Sequence, residues 1–434
     1  MTNPSSYGVV KLNDYVYFQE GPGIRNSQNT SEGVRFLNIR CFVDGRLDTA
    51  SMKKVSENEA YGKYKHFLLD VGDYVVSSSG TLGRIAEVYP EDIPVMLNTS
   101  TIRFRPIKNE FLDRLYLRYF LESEVFQQQV KSLATGSVQL NYGPSHLAFV
   151  EMPLPPIKSQ RAIGEVLDNL TKQISLNHAL SKTLEDIAQT IFKSWFIDFD
   201  PVKAKMNGEK PIGMDDETAA LFPDSFEESE LGLIPKGWEV NSIGSVCQTL
   251  LGGTPSRTKD DYWNGDIPWI NSGKINDFRV LTASEFITKR GLDKSATKLL
   301  PSGTTVIAIT GATLGQFSRL EIEACANQSV IGIIGSPRAS NEFIYMQIKN
   351  GIQRLISAQT GGAQQHINKE DVNNFNIIYP NQALVSKFTS EVSAIFLQIG
   401  NLLKQSLTIV SIRDSLLPRL ISGELLISEE LLAS

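Results

Sequence analysis

Cysteine is scarce in this chain of 434 residues: Cys41, Cys247 and Cys325 are odd in number and far apart. Such spacing offers no disulfide framework and no metal cluster, and it fits small buried thiols in a reducing compartment. Histidine is scarce too: His66, His146, His178 and His366 are scattered, without H-E-x-x-H or Cys/His ligand spacing. No G-x-S-x-G elbow is present, no glycine-rich cofactor fingerprint follows a strand, and no Asn/Asp-Pro-Pro-aromatic motif occurs. No catalytic metal or cofactor is therefore expected. The longest uninterrupted apolar runs, such as VIAI at 306–309, are too short to cross a bilayer, and MTNPSSYGVV is not a signal sequence. A cytoplasmic protein without a membrane partner is the expectation.

Nor is there an excess of positive charge. The net charge is −6. Residues 201–231 hold three lysines against eight acidic residues, so that stretch alone carries −5 and the remainder −1. The bulk is nearly neutral, and composition neither supports nor excludes a nucleic-acid partner. Asp215 and Asp216 lie in this acidic stretch and fit a solvated face better than an acid/base pair.

What the chain does have is a repeat. LLDVGDYVV at 68–76 matches LLPSGTTVI at 299–307, an offset of 231. Two glycine loops follow, SGTLGR at 79–84 and TGATLGQ at 310–316, the second one residue longer. Asn98-Thr99-Ser100 then answers Asn327-Gln328-Ser329, and Thr135-Gly136 answers Thr360-Gly361 at an offset of 225. Neither loop is a phosphate cradle, for there is no G-K-[ST], and FSRLEIEA after the second alternates as a strand. A strand–glycine turn–strand hairpin is predicted, whose tip can approach a ligand closely.

Within each copy the period changes once. RFLNIR, DYVVSSS and TIRFRP, then PWINS, TVIAIT and VIGIIG, predict strands, with helical patterns at 109–133 and 340–358. After PLPP at 153–156 comes a run with no proline and only Gly164 to interrupt it, which predicts a long helix. Its seam is Ile163, Leu167, Leu170, Ile174, Asn177, Ser181, Leu184, Ala188 and Ile191. The second copy answers with Phe388, Val392, Ile395, Ile399, Leu402, Ser406, Ile409, Arg413 and Leu416. Two helices of about 50 Å, at 1.5 Å per residue, can pack along these seams. Asn177 is a polar guest there, either a register device or a tolerated wet position.

Several stretches resemble one family. GGTPSRTKDDYWNGDIPWINSGKIND (252–277) looks like the opening of a target-recognition domain in the specificity subunit of Type I restriction–modification enzymes. IPKGWEVNSIGSV (234–246) resembles the lead into such a domain. QTIFKSWFIDFDPVKAK (189–205) and IRDSLLPRLISGEL (412–425) resemble the ends of that family's long helices. GPGIRNSQNTSEGVRFLNIRCFVDGRLD (21–48) keeps the layout without the G-T-P and P-W signatures.

The resemblance implies an α+β fold: two β-rich α/β target-recognition domains in tandem pseudo-two-fold repeat, joined by two long antiparallel coiled-coil helices. The expected parts are a first recognition domain at 1–156, a central spacer helix at 157–200 and an acidic, proline-containing linker at 201–235. A second recognition domain at 236–380 and a C-terminal spacer helix and tail at 381–434 follow. The implied protein is no enzyme by itself. Each domain reads one half of an interrupted target in double-stranded DNA, two methyltransferase subunits dock on the helices, and restriction subunits join them. Base edges are read by paired donors and acceptors, Arg to guanine and Asn or Gln to adenine. The candidates are Arg25, Asn26, Asn38, Arg40, Ser79, Thr81, Arg84, Gln139, Asn141 and Tyr142 in the first domain. In the second they are Thr254, Ser256, Arg257, Lys259, Asn271, Lys274, Thr310, Thr313, Gln316, Gln364, Gln365 and His366. Trp269 fits a core anchor better than a base-stacking group. Two rival readings stand beside this one: a fusion of two catalytic domains, and a coiled-coil adaptor without sequence readout.

Overall fold

The structure, a computed structural model, describes residues 7–43, 45–135, 140–357 and 366–428. The chain forms two compact units, Met1–Ser175 with Leu407–Ser434, and Leu176–Ser406.

Each unit is built on an antiparallel four-stranded sheet of the same order. In unit 1 the strands run Val16–Glu20, Thr101–Pro106, Tyr74–Ser77, Ile85–Glu87, and in unit 2 Gln248–Leu251, Val330–Ile334, Thr305–Ala308, Phe317–Arg319. The inner strands YVVS and TVIA are buried at every position, as a strand covered on both faces must be. The period of two then divides their side chains between two cores. Ile307, Ile331 and Ile333 face the larger core of unit 2, whereas Val306, Ala308 and Val330 face a smaller one. Tyr74 and Val76 divide from Val75 in the same way in unit 1.

The smaller cores lie against a second sheet. In unit 2 its order is Glu285–Ile287, Trp263–Ile270, Ala324–Ala326, Leu299–Leu300, with Ala324–Ala326 parallel to Trp263–Ile270. In unit 1 Val95–Met96 lies parallel to Val34–Phe36, which pairs with Lys53–Val55. A two-stranded ribbon closes each unit: Gly8–Lys11 with Glu151–Leu154, and Glu239–Ser242 with Asn376–Tyr379.

The helical pattern at 340–358 forms one helix, Asn341–Ser357. Its counterpart at 109–133 breaks in two, Arg114–Glu122 and Glu124–Leu133. Ser123 causes the break: its hydroxyl donates to Phe120 O at 2.6 Å and accepts from Phe126 N, capping the second helix.

The two longest helices are Ile157–Phe196, the central helix, and Gln382–Ser422, the C-terminal helix. Gly164 is small because the helix Arg114–Glu122 crosses there; a Cβ at that position would lie 2.7 Å from Leu115 Cβ. Within unit 2 the long helices run antiparallel. Phe192 meets Phe388 edge to face with ring centroids 5.6 Å apart, and Asn177, four turns earlier, reaches Leu402 O. Phe388, Val392 and Ile399 are buried in this seam and Ile395, Leu184 and Ile191 half-buried. In unit 1 Ile163 and Leu167 share a core with Leu420 and Ile421, against which Leu416 packs. Leu170, Ile174 and Ile409 are half-buried.

Gln382–Ser422 is by length and composition apolar enough to cross a bilayer. Its apolar residues are spaced rather than consecutive, and Phe388, Val392, Phe396 and Ile399 are buried among protein side chains while Glu391, Asn401 and Lys404 are exposed. That is the pattern of a seam helix, not of a lipid-facing one.

The stretch 201–235 packs on unit 2. Val202, Phe222 and Ile234 enter its larger core, where Trp195 meets Phe222 edge to face at 5.4 Å. Asp215 caps the short helix Asp216–Ala220 by accepting from Thr218 N at 2.6 Å.

Candidate nucleic-acid interface

The glycine loops are hairpin turns closed by the same backbone bonds. Ser77 N donates to Arg84 O at 2.9 Å, and Gly83 N returns to Ser77 O at 2.9 Å. In unit 2 Ala308 N donates to Gln316 O at 2.8 Å and Gly315 N to Ala308 O at 2.9 Å. Gly80 and Gly83 adopt φ of +72° and +78°, and Gly311 and Gly315 adopt +68° and +78°, a region where a Cβ is strained. The turns thus need glycine at the same two places, and the extra residue of the second copy lies between them.

Beside each turn, three chain segments meet through the same backbone bonds. In unit 1 Ser78 N donates to Ser100 O at 2.9 Å and Tyr142 N to Ser78 O at 3.0 Å. In unit 2 Ile309 N donates to Ser329 O at 2.9 Å and Ile367 N to Ile309 O at 3.0 Å. A fourth segment joins through glycines: Gly21 N donates to Thr101 O at 3.2 Å, and Gly252 N to Val330 O at 2.9 Å. A Cβ on Gly21 would lie 2.3 Å from Asn98 N, and one on Gly252 2.1 Å from Asn327 O. The repeated sequence segments are therefore the walls of one junction, built twice.

This frame pairs positions across the units. Ser79 answers Thr310, Arg84 answers Gln316, Asn141 answers His366, and Glu20 answers Leu251. Arg84, Gln316, Asn141 and His366 are exposed, and Ser79 and Thr310 half-buried. The backbone is shared and the side chains differ.

Tyr142 requires a correction. It answers Ile367, and both are core residues, 2% and 1% exposed. The Tyr142 hydroxyl donates to Ser77 O at 3.3 Å, so the ring cannot meet a base without leaving the core of unit 1. The offset of 225 already aligned this tyrosine with an isoleucine. Gln139, Gln364 and Gln365 lie outside the described residues.

In unit 1 Ser79 and Asn141 are bridged and line a cleft of about 430 Å³ together with Glu20, Thr99, Ser100 and His146. Gly143 N donates to His146 Nδ1 at 3.1 Å. Thr81 sits at the exposed hairpin tip, where its carbonyl accepts from Ser77 Oγ at 2.6 Å. Arg25 and Arg40 are exposed and form no ion pair among the described residues. Asn26 accepts from Lys53 at 3.5 Å, and Asn38 caps its turn by accepting from Arg40 N at 2.8 Å.

Several candidates in unit 2 are committed to their own fold. Arg257 Nη2 donates to Glu285 Oε1 at 2.9 Å, and the guanidinium lies 3.7 Å from the Trp263 ring centroid. This hydrogen bonding holds the Glu285 carboxyl below the usual range. Lys259 donates to the Tyr262 hydroxyl at 3.1 Å, and Lys274 pairs with Asp277 at 2.8 Å. Asn271 accepts from Lys274 N at 3.2 Å, Thr254 bonds Gln328, and Ser256 lies 2.9 Å from the Thr258 hydroxyl. Thr313 donates to Thr310 O at 3.3 Å. Trp269 is buried, its indole donating to Gly253 O at 3.1 Å. Sequence reasoning missed Glu20, Thr99, Ser100 and His146; only the position of Glu20 beside the equivalent glycines Gly21 and Gly252 could have drawn attention to it.

Among the described residues no group of three or more His, Cys, Asp or Glu is placed to hold a metal. Burial pushes all three thiols up, that of Cys247 to about 12, away from nucleophilic use.

Two tandem units that repeat one backbone frame and vary its exposed side chains make a recognition protein. The family model for the Type I restriction modification DNA specificity domain matches residues 4–186 and again 235–407, and the chain belongs to that family. It is a DNA sequence-specificity subunit, a non-catalytic component of a Type I restriction–modification system. Among curated proteins it is similar to the Type I restriction enzyme HindI specificity subunit of Haemophilus influenzae, 25% identical over 70% of this chain and 74% of that protein. The Type I restriction enzyme MjaIX specificity subunit of Methanocaldococcus jannaschii is 28% identical over 72% of this chain and 69% of that protein. The fold is also that of the S subunit of a Type I restriction–modification system from M. genitalium, with a TM-score of 0.60 at 14% identity and 97% coverage of both chains.

Proposed function

We propose that each unit reads one half of an interrupted target in double-stranded DNA, with the hairpin tips and the junction beside them as the reading surface. The observation that carries this is the shared frame with different side chains. Arg84 and Gln316 stand at the same place on the same turn, and Arg suits guanine where Gln suits adenine. Arg25 and Arg40, which form no ion pair among the described residues, add cations in unit 1 for phosphates or guanine. The recognition parts are residues 1–156 and 236–380, the long helices set the distance between half-targets, and 201–235 links the two copies. Two methyltransferase subunits dock on the helices, where Leu176, Leu180 and Ile187 are exposed apolar side chains, and restriction subunits complete the assembly in the cytoplasm. Partner subunits supply much of the phosphate affinity, which accounts for a net charge of −6 in a DNA-reading chain. The test is selection from a random-sequence duplex library by the complex assembled with its methyltransferase subunits. Two conserved blocks separated by a fixed unread spacer are expected; a single contiguous block, or no preference, overturns the reading.

A further inference from the structure

Glu20 is the one acidic group lining the cleft beside the first glycine turn, and no lysine or arginine lines that cleft among the described residues. Its neighbours there include Ser79, Thr99, Ser100, Asn141 and His146. No hydrogen bond or ion pair occupies its carboxylate among the described residues, although it is partly buried. Burial raises its pKa, so the surroundings do not favour the charge. The fold does not require an acid there. The strand register sets Glu20 opposite Ile102 in unit 1 and Leu251 opposite Ile331 in unit 2, and Leu251 is 41% exposed. The same backbone position therefore tolerates an apolar residue facing outward.

An unneutralised carboxylate beside DNA repels phosphates, so this cleft takes a base edge rather than the backbone. The edge must present a donor. Guanine O6 and N7 and thymine O4 are acceptors and are repelled by a carboxylate, whereas cytosine presents its N4 amine in the major groove. Adenine also has an amine, N6, but with the acceptor N7 beside it, a pair that an amide matches and a carboxylate does not. On the reading that unit 1 recognises one half of the target, we propose that Glu20 selects cytosine at one position of that half by accepting a hydrogen bond from its exocyclic amine. Leu251 lacks an acceptor, so the second half has no such cytosine at the equivalent place.

The experiment compares wild type, Glu20→Leu and Glu20→Gln, each assembled with methyltransferase subunits, on a random-sequence duplex library. Wild type is expected to require cytosine at one first-half position, with discrimination between about fivefold and a hundredfold. Glu20→Leu, which installs the residue of the second unit, abolishes that requirement, and Glu20→Gln moves it towards adenine; the second half-target stays unchanged in both. Should Glu20→Leu fail to assemble, Glu20→Gln decides alone. Retention of the cytosine requirement by Glu20→Gln, or a uniform fall in affinity with every base preference intact, overturns the role of Glu20 while leaving two-half reading in place. A wild-type complex with no base preference in either half overturns the recognition reading itself, and this proposal with it.

Discussion

Replacing Glu185 by alanine removes the carboxylate at the centre of a buried ionic cluster in unit 2. Glu185, on the central helix, is 3% exposed and Arg279 is 2% exposed. Arg279 Nη2 lies 2.5 Å from Glu185 Oε2, Lys349 Nζ lies 2.5 Å from Oε1, and the Tyr345 hydroxyl donates to Oε1 at 3.0 Å. Without Glu185, the nearest carboxylate to Arg279 is Glu321 at 3.5 Å, and Glu321 is already engaged by Arg319 at 2.7 Å. Breaking a buried pair costs about 3–5 kcal/mol, and the residual Glu321 contact sets the expectation near the lower end. For a unit of this size each kcal/mol moves the midpoint by about 2–4 °C, so Tm should fall by roughly 6–12 °C. Thermal and denaturant unfolding of the full chain are the assays. The double replacement Glu185→Leu with Arg279→Met should lose less than Glu185→Ala, because neither member of the fully buried pair is left alone and only the half-buried Lys349 loses its partner. A loss below about 1 kcal/mol for Glu185→Ala, the range of exposed pairs, would refute the view of this cluster as a buried lock between the central helix, the loop at Arg279 and the helix Asn341–Ser357.

Three further outcomes follow from the geometry. Tyr142→Phe should leave the selected target unchanged and lose no more than about 1.5 kcal/mol, the worth of its one hydrogen bond to Ser77 O; a changed first half-target would return Tyr142 to the reading surface. Glu20→Gln should be more stable than wild type at neutral pH. The folded protein binds the Glu20 proton more tightly than the unfolded chain does, so wild-type stability falls as pH rises from the ordinary carboxylate value of about 4.3 through the higher folded value. The advantage of the variant should vanish below about pH 4, and melting curves across pH 3.5–7.5 showing a constant difference would contradict it. Asn177→Ala should cost about 0.5–1.5 kcal/mol, since the buried Asn177 amide donates to Gln405 Oε1 at 3.0 Å across the seam; an unchanged denaturation midpoint would mark Asn177 as a tolerated guest.

Much of this architecture was written in the sequence because it was written twice. The drift of the offset from 231 at the glycine loop to 225 at Thr135 and Thr360 marks loops that differ in length between segments that do not. The same alignment held the correction of Tyr142, which chemistry alone had placed at the interface: an aromatic near Asn and Gln looks like a reader until Ile367 is set beside it. Chemistry alone also could not show the local partners of Arg257, Lys259 and Lys274, because a contact such as that with Glu285 or Asp277 cannot be inferred from residue type. The cluster around Arg279 was invisible, since its members come from the central helix, the loops at Arg279 and Glu321, the strand Phe317–Arg319 and the helix Asn341–Ser357, and only the fold brings them together. Glu20 was passed over because it sits on a strand rather than in a loop, and its partner in the repeat is a leucine. The break at Ser123 was equally hidden within an unbroken apolar period.

Equivalent turns reading different bases in separate halves of the target is the central claim, and Gln316→Arg tests it most directly. Gln316 is exposed on the second hairpin, and its backbone bond to Ala308 does not involve the side chain. The assembled complex carrying this single change, selected on a random-sequence duplex library, should exchange a preference for adenine for guanine at one position of the second half-target. The first half and the spacer should be those of wild type. A preference that shifts in both halves, or selection of the wild-type target with no change at any position, would contradict the account.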